Sequence, residues 1–454
     1  MRRGFDRQLL VAGMLLVLGV IALISISGCR KSSDVSTPPE GPATETVVHD
    51  EAGEAVEGAQ GAESVDTASE RAIPDQTTES AEQGHVVVFP DRALEAAIRT
   101  AIANPAGEIH DTDLLGLTEL DANNRGITNL SGIEYCANLE ALWLYENDIV
   151  DISALSELTN LESLGLGSNQ IIDISALSGL TNLTGLDLEG NQIVDIGALS
   201  GLTNLVYLAI GNNPISDISP LSSLASLEQL WLYESGIVDI SSLSSLSTLE
   251  SLGLGGNRIA DISALSGLTN LRTVDLNSNQ IIDIRPLSRL SNLESVGLNS
   301  NQIADINAVS DLTNLRGLWL NENEIADISA LSGLTNLVYL ALVDNQIADI
   351  SPLSGLTKLE ELDLKKNEII DISALSGLTN LRSLGLGDNQ IVDVSPLADN
   401  AGIGSGDDID LDHNPLHADS GSPNMMAIVV MRRRGASVTY HEECETCGAE
   451  GERR

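Results

Sequence analysis

Aromatic residues are scarce in this chain: two Phe, six Tyr and three Trp in 454 residues. A core of this size must therefore be aliphatic, and Leu and Ile supply it. Cysteine is scarcer still. Cys29, Cys136, Cys444 and Cys447 are too few and too scattered for a disulfide scaffold. Basic residues are outnumbered 23 to 66 by acidic ones, for a formal net charge of -43. That excludes nucleic acid as a ligand, because phosphates need Lys and Arg. It also disfavours direct adsorption to anionic lipid heads, and it favours a partner with a basic or neutral surface. The six His share no register with a Ser or Cys nucleophile, and no glycine loop precedes a basic residue to cradle phosphate. No catalytic set and no cofactor site emerge. His441, Cys444 and Cys447 offer three soft ligands where zinc usually wants four, so no metal is assigned.

What the chain has in abundance is a repeat of 22 residues. Asn147, Asn169, Asn191, Asn213, Asn257, Asn279, Asn301, Asn323, Asn345, Asn367 and Asn389 share one register, with Ser235 in the missing place. One unit reads Leu161-x-x-Leu164-x-Leu166-x-x-Asn169-x-Ile171-x-Asp173-Ile174-x-x-Leu177-x-x-Leu180. So strict a period specifies a solenoid, in which each coil buries its apolar side only against its neighbours. The Leu-x-Leu segment reads as a short strand and the Asn as the turn. The Asp-Ile-Ser segment reads as a tight helical turn capped by Asp or Ser oxygens. The row of aspartates, one per coil from Asp151 to Asp393, is assigned to capping rather than to a metal ladder.

The units resemble bacterial leucine-rich repeats of the 22-residue kind, similar to the internalin and Sds22-like group, over roughly residues 86–440. That resemblance implies an α/β leucine-rich repeat solenoid. Its curved parallel sheet forms the concave face, short 3-10 or helical turns form the convex face, and helical caps close both ends. Family members mostly bind proteins, and some bind other ligands, through the concave face.

The flanks divide the chain further. Arg2, Arg3 and Arg7 precede an apolar run from Leu9 to Ile26, then Ser27-Gly28-Cys29. This is a secretory signal, and Ile26-Ser27-Gly28-Cys29 resembles the bacterial lipobox, which implies lipidation at Cys29. An uncleaved membrane anchor is the alternative, since the run approaches the ~20 residues that span a bilayer. Either reading exports the chain and anchors it to the cell envelope. Residues 1–28 carry three Arg and one Asp, so their removal leaves -43 minus +2, or -45. Residues 29–85 read as an acidic disordered tether: between 31 and 90 there are 13 Asp/Glu against Lys31 and Arg71. Residues 86–138 form an N-terminal cap, with a helix opening at Asp91 that sets Leu94, Ile98 and Ile102 on one face. The array spans 139–416. Residues 417–440 form a C-terminal cap whose helix opens at Ser422-Pro423 and covers the last coil with Met425, Met426, Ile428, Val429 and Met431. Residues 441–454 read as a disordered tail.

Period-two alternation sends the residues six, four and two before each Asn to the concave face. Seven of the eleven aromatics fall there: Trp143, Trp231 and Trp319 at four before, Tyr145 and Tyr233 at two before, Tyr207 and Tyr339 at six before. Glu146, Glu234 and Glu322 follow the aromatics, and Asp187, Asp275 and Asp363 take the Trp position in other coils. The tryptophans recur every 88 residues, four coils, which a duplication alone would produce. Grouped exposed rings nevertheless mark binding surfaces, and Trp and Tyr beside carboxylates suit a basic or amphipathic protein surface. The same residues suit a glycan. A third possibility is an architectural surface spacer with no ligand. Ser235-Gly236, beside Trp231, breaks the repeat rule at a candidate site. Glu250, Arg272, Glu294 and Arg316 alternate in sign and are expected to pair across coils.

Overall fold

The computed structural model describes residues 84–441. The signal segment, Cys29, nearly all of the acidic tether, Cys444 and Cys447 lie outside the described residues. Fifteen parallel three-residue strands form one sheet, with Glu119–Asp121 at one edge and Ser437–Thr439 at the other, and sheet neighbours are sequence neighbours throughout. Equivalent residues of successive coils stand side by side: Leu142 pairs with Leu164, and Leu164 with Leu186. The seven aliphatic residues of the unit quoted above are all buried, as are their equivalents along the array. A coil has no second layer of its own, so this burial exists only because another coil stacks on it.

Each strand is short because the residue before the Asn turns the chain. Ser168, Asn212, Ser278 and Ser300 there have φ between 53° and 55°. The Asn then ties two coils together. Asn169 Nδ2 donates to the carbonyls of Leu166 and Gly167 in its own coil and of Leu144 in the preceding one, and its Oδ1 accepts from the Ile149 N–H. Next, Asp173 Oδ1 accepts from the Ser175 N–H at 2.8 Å and opens the 3-10 turn Ser175–Gly179. This N–H donor lowers the Asp173 pKa. Asp151, Asp239 and Asp371 cap in the same way, so each carboxylate of the row has a structural use. A second Asn series was not read from the sequence: Asn160, Asn182 and Asn204 donate Nδ2 to carbonyls of the preceding coil just before each strand.

Where Asn is missing, the backbone compensates. Ser235 cannot reach back as Asn does, and the Ile215 N–H donates instead to the Asn213 carbonyl two residues before it. Pro214 lies between them, as in a tight three-residue turn. The same Asn-Pro device recurs at Asn414-Pro415-Leu416, after which no further Asn stands in the repeat register. Gly236 has φ 78° and Gly126, after Arg125, has φ 69°. In both, glycine supplies a left-handed turn. The Ser235 departure therefore has a structural account.

The first cap holds the helix Arg92–Ala101. Asp91 Oδ1 accepts from Ala93 and Leu94, and its Oδ2 accepts from Thr128 and Asn129 of the first coil. One carboxylate thus starts the helix and fixes it to the array. An antiparallel pair, Val86–Val87 with Ile109–His110, completes this end. The helix Pro423–Arg433 covers the other end with Ala427, Ile428 and Met431 buried, while Met426 is 56% exposed. Met426 follows Asn424 by two residues, ~200° around a helix, so it points away. Asn424 is the inward residue: its carboxamide bonds the Val394 N–H and the Val392 carbonyl. After this helix Ser437–Thr439 adds a last parallel strand, which the sequence reading did not foresee.

Candidate functional site

The open face of the sheet is organised by the position four before each Asn. Across adjacent strands this row reads Trp143, Gly165, Asp187, Ala209, Trp231, Gly253, Asp275, Gly297, Trp319, Ala341, Asp363, Gly385. The pattern Trp–small–Asp–small occurs three times. The small residues were missed by the sequence reading, because they are seen only by comparing positions 22 residues apart.

The small residues let the rings lie down. A Cβ at Gly165 would stand 2.3 Å from the Tyr145 ring and 2.8 Å from the Trp143 ring, and one at Gly253 would stand 2.5 Å from both Trp231 and Tyr233. Tyr145 crosses the next coil over Gly165 and Gly167 and donates its hydroxyl to Asp187 Oδ2, two coils away, at 3.2 Å. Trp143 and Tyr145 stack with centroids 6.2 Å apart and planes 12° apart; for Trp231 and Tyr233 the values are 5.9 Å and 16°. Tyr233 reaches toward Asp275 in the same way, but its buried hydroxyl completes no hydrogen bond. Trp319 differs. Its ring folds along its own strand over Gly317, and Asn321, Ala341 and Val343 stand where the other copies have Tyr and two Gly.

The sequence-derived residues are therefore not equivalent. Trp143, Tyr145, Tyr207, Tyr233 and Trp319 are half-buried on the face, and Tyr339 is 39% exposed. Trp231 is only 8% exposed, so its ring serves more as floor than as contact. Glu146, Glu234 and Glu322 sit in the left-handed turn that ends each strand, with φ of 55°, 49° and 56°. They stand exposed at the rim, not among the rings, and Glu322 Oε2 accepts from the Ser300 hydroxyl. Asn277, Asn299 and Asn321 form an unforeseen ladder on the face. Asn277 Oδ1 accepts from the Asn299 N–H, and Asn299 Oδ1 from the Asn321 N–H. Arg272 pairs with Glu250 and Glu294 as expected, while Arg316 forms no ion pair among the described residues.

The carboxylates differ in environment. Burial raises the Asp187 pKa to about 6; Glu189 beside it adds to the rise, while the Glu189 N–H and the Tyr145 hydroxyl oppose it. Burial likewise raises Asp275. Burial raises Asp363 too, but Lys365 opposes it. The Tyr207 phenol is raised by burial and then by Asp187 and Glu189. These directions carry a stability consequence. Between its ordinary pKa of 3.8 and about 6, folded Asp187 keeps a proton that the unfolded chain releases. Its contribution is most favourable below that window and declines as pH rises through it. Asp187→Asn should therefore stabilise the protein above pH 6 by about 1–3 kcal/mol. The gain should vanish near pH 4. Thermal melts of both proteins at pH 4 and pH 8 check this; an equal gain at both pH values contradicts it.

Comparison with known proteins agrees with this architecture. A family model described as leucine-rich repeats (2 copies) matches ten segments between residues 138 and 399. The crystal structure of an internalin (inlF) from Listeria monocytogenes is 37% identical, covers 72% of this chain and 95% of its own, and superposes with a TM-score of 0.68. A Leptospira interrogans leucine-rich repeat protein is 25% identical, with 72% and 84% of the two chains covered and a TM-score of 0.66. Internalin H of Listeria monocytogenes is 40% identical over 65 residues, which is 14% of this chain and only 12% of that protein. The chain belongs to the leucine-rich repeat family, with repeats of the internalin type.

Proposed function

We propose that this is an exported, non-enzymatic recognition protein, held to the bacterial envelope by lipid on Cys29, that binds a protein partner through the open face of its sheet. The observation that carries the reading is the row of Trp, small and Asp residues, on which rings lie flat beside partly buried carboxylates. Trp and Tyr anchors with adjacent acids match a basic or amphipathic protein surface. The internalin-type repeats agree with protein recognition in general.

A glycan is the second reading, favoured by one feature: the near-parallel rings of Trp143 and Tyr145 lie on the open sheet face, an arrangement of the kind a sugar ring can stack on. The variant Trp143→Ala/Tyr145→Ala/Trp319→Ala separates the readings when compared with wild type in capture from envelope extract and on a glycan array. Loss of a protein partner by at least about tenfold is expected, since anchor side chains commonly contribute 1–2 kcal/mol or more each. Loss of a glycan instead supports the second reading, and unchanged binding in both supports a spacer without a ligand.

Anchoring has a separate test. Cys29→Ala should move the protein from the membrane pellet to the soluble fraction, because acyl chains provide the attachment. Retention in the pellet would identify the apolar run itself as the anchor.

A further inference from the structure

The three copies of the Trp–small–Asp–small unit differ in the residue two places after the Asp, and only the third has a cation there. In the third, Lys365 sends its Nζ to 4.0 Å from Asp363 and 3.1 Å from Asp410. The place of Lys365, two residues after the Asp, is taken by Glu189 after Asp187 and by Asn277 after Asp275. Among the described residues no Lys, Arg or His forms an ion pair with Asp187, Glu189 or Asp275. The third copy thus contains its own cation. The first two offer a carboxylate beside the half-buried ring of Tyr145 or Tyr233 and no cation.

A carboxylate at the hydroxyl end of a Tyr ring is suited to an ammonium or guanidinium group, which can pair with the acid while lying over the ring. We infer that Asp187 and Asp275 are two subsites for basic side chains of one extended segment of a partner protein, each pairing with an incoming cation as Asp363 does with Lys365 in the third copy; Asp187 is the more open of the two, since Asp275 is only 8% exposed. This rests on the protein-recognition reading above and specifies the occupant. The charge of the chain, -43, fits such a segment. Spacing sets its pattern. Asp187 and Asp275 are four strands apart, about 19 Å at the usual strand separation, which an extended chain spans in about six residues. The segment should carry Arg or Lys at positions i and i+6.

The test uses the full chain and two synthetic Gly/Ser peptides of equal length and charge, one with arginines six apart and one with arginines two apart. Titration calorimetry should show the first binding roughly 10- to 100-fold more tightly, because only it can occupy both subsites. Asp187→Asn and Asp275→Asn should each remove that advantage. Glu324→Gln/Glu368→Gln, two exposed acids off the face, should keep it. Equal affinity for the two peptides, or equal losses in the control variant, would overturn the inference. If that happens while partner capture still depends on Trp143, Tyr145 and Trp319, the recognition reading survives alone. If capture is also indifferent to those rings, both fail.

Discussion

Asn257→Ala is expected to destabilise the array by about 3–5 kcal/mol and to split its unfolding into two steps. Asn257 accepts from two N–H groups of the preceding coil, those of Ser235 and Ile237, and donates to the carbonyls of Leu232, Leu254 and Gly255. Alanine leaves all five without this partner, in a place where Asn257 itself is 7% exposed and little water enters. An unpaired buried polar group costs about 1–3 kcal/mol, and partial relaxation keeps the sum below five full penalties. The location matters as much as the size. The coil before Asn257 already lacks the repeat carboxamide, since Ser235 stands there. In a solenoid, stability is carried by nearest-neighbour interfaces, so a weak one in mid-array lets the two halves unfold separately. Urea unfolding followed by circular dichroism should show a second transition that wild type lacks. A single transition within about 1 kcal/mol of wild type would contradict the role assigned to the carboxamide.

How much of this was visible in the sequence depends on the direction in which each feature is read. Features that run along one coil were legible. Leu161 to Leu180 marks the core, Asn169 the turn and Asp173 the cap, and the structure gives each that role. Features that run across coils were read only in part. Trp143, Trp231 and Trp319 share a register and were placed on one face, yet whether a ring lies sideways or along its own strand depends on the next coil, where Gly165 and Gly253 make room and Ala341 does not. Trp231 is covered for the same kind of reason, through packing with neighbours that periodicity does not reveal. Glu146, Glu234 and Glu322 were placed by adjacency to the rings, but a left-handed turn at that position carries them to the rim. The ends were least legible, because Val86–Val87 and Ser437–Thr439 pair with distant segments and carry no repeat signature.

Gly165→Ala should leave the fold intact and abolish the first aromatic platform. The backbone accepts alanine at this register, as Ala209 and Ala341 show in equivalent strands, and replacing a strand glycine by alanine favours the folded state by roughly 0.5–1 kcal/mol. The ring cannot accept it. The new methyl would lie 2.3 Å from Tyr145 and 2.8 Å from Trp143, so both must lift from the sheet. Their stacking, worth about 0.5–1.5 kcal/mol, is then disturbed, and the Tyr145 hydroxyl leaves Asp187. Net stability should therefore change by less than about 1 kcal/mol, because the two effects oppose each other. Capture of the partner should fall by about tenfold or more, equivalent to roughly 1.4 kcal/mol. Acrylamide quenching of indole emission should rise as Trp143 becomes exposed, and the near-ultraviolet circular dichroism should weaken as the Trp143–Tyr145 stack opens. Here the proposed binding surface is disrupted without removing any of its aromatic side chains, which separates platform geometry from the mere presence of aromatic residues. A variant that binds and quenches like wild type would show that the glycine floor does not set the pose of these rings.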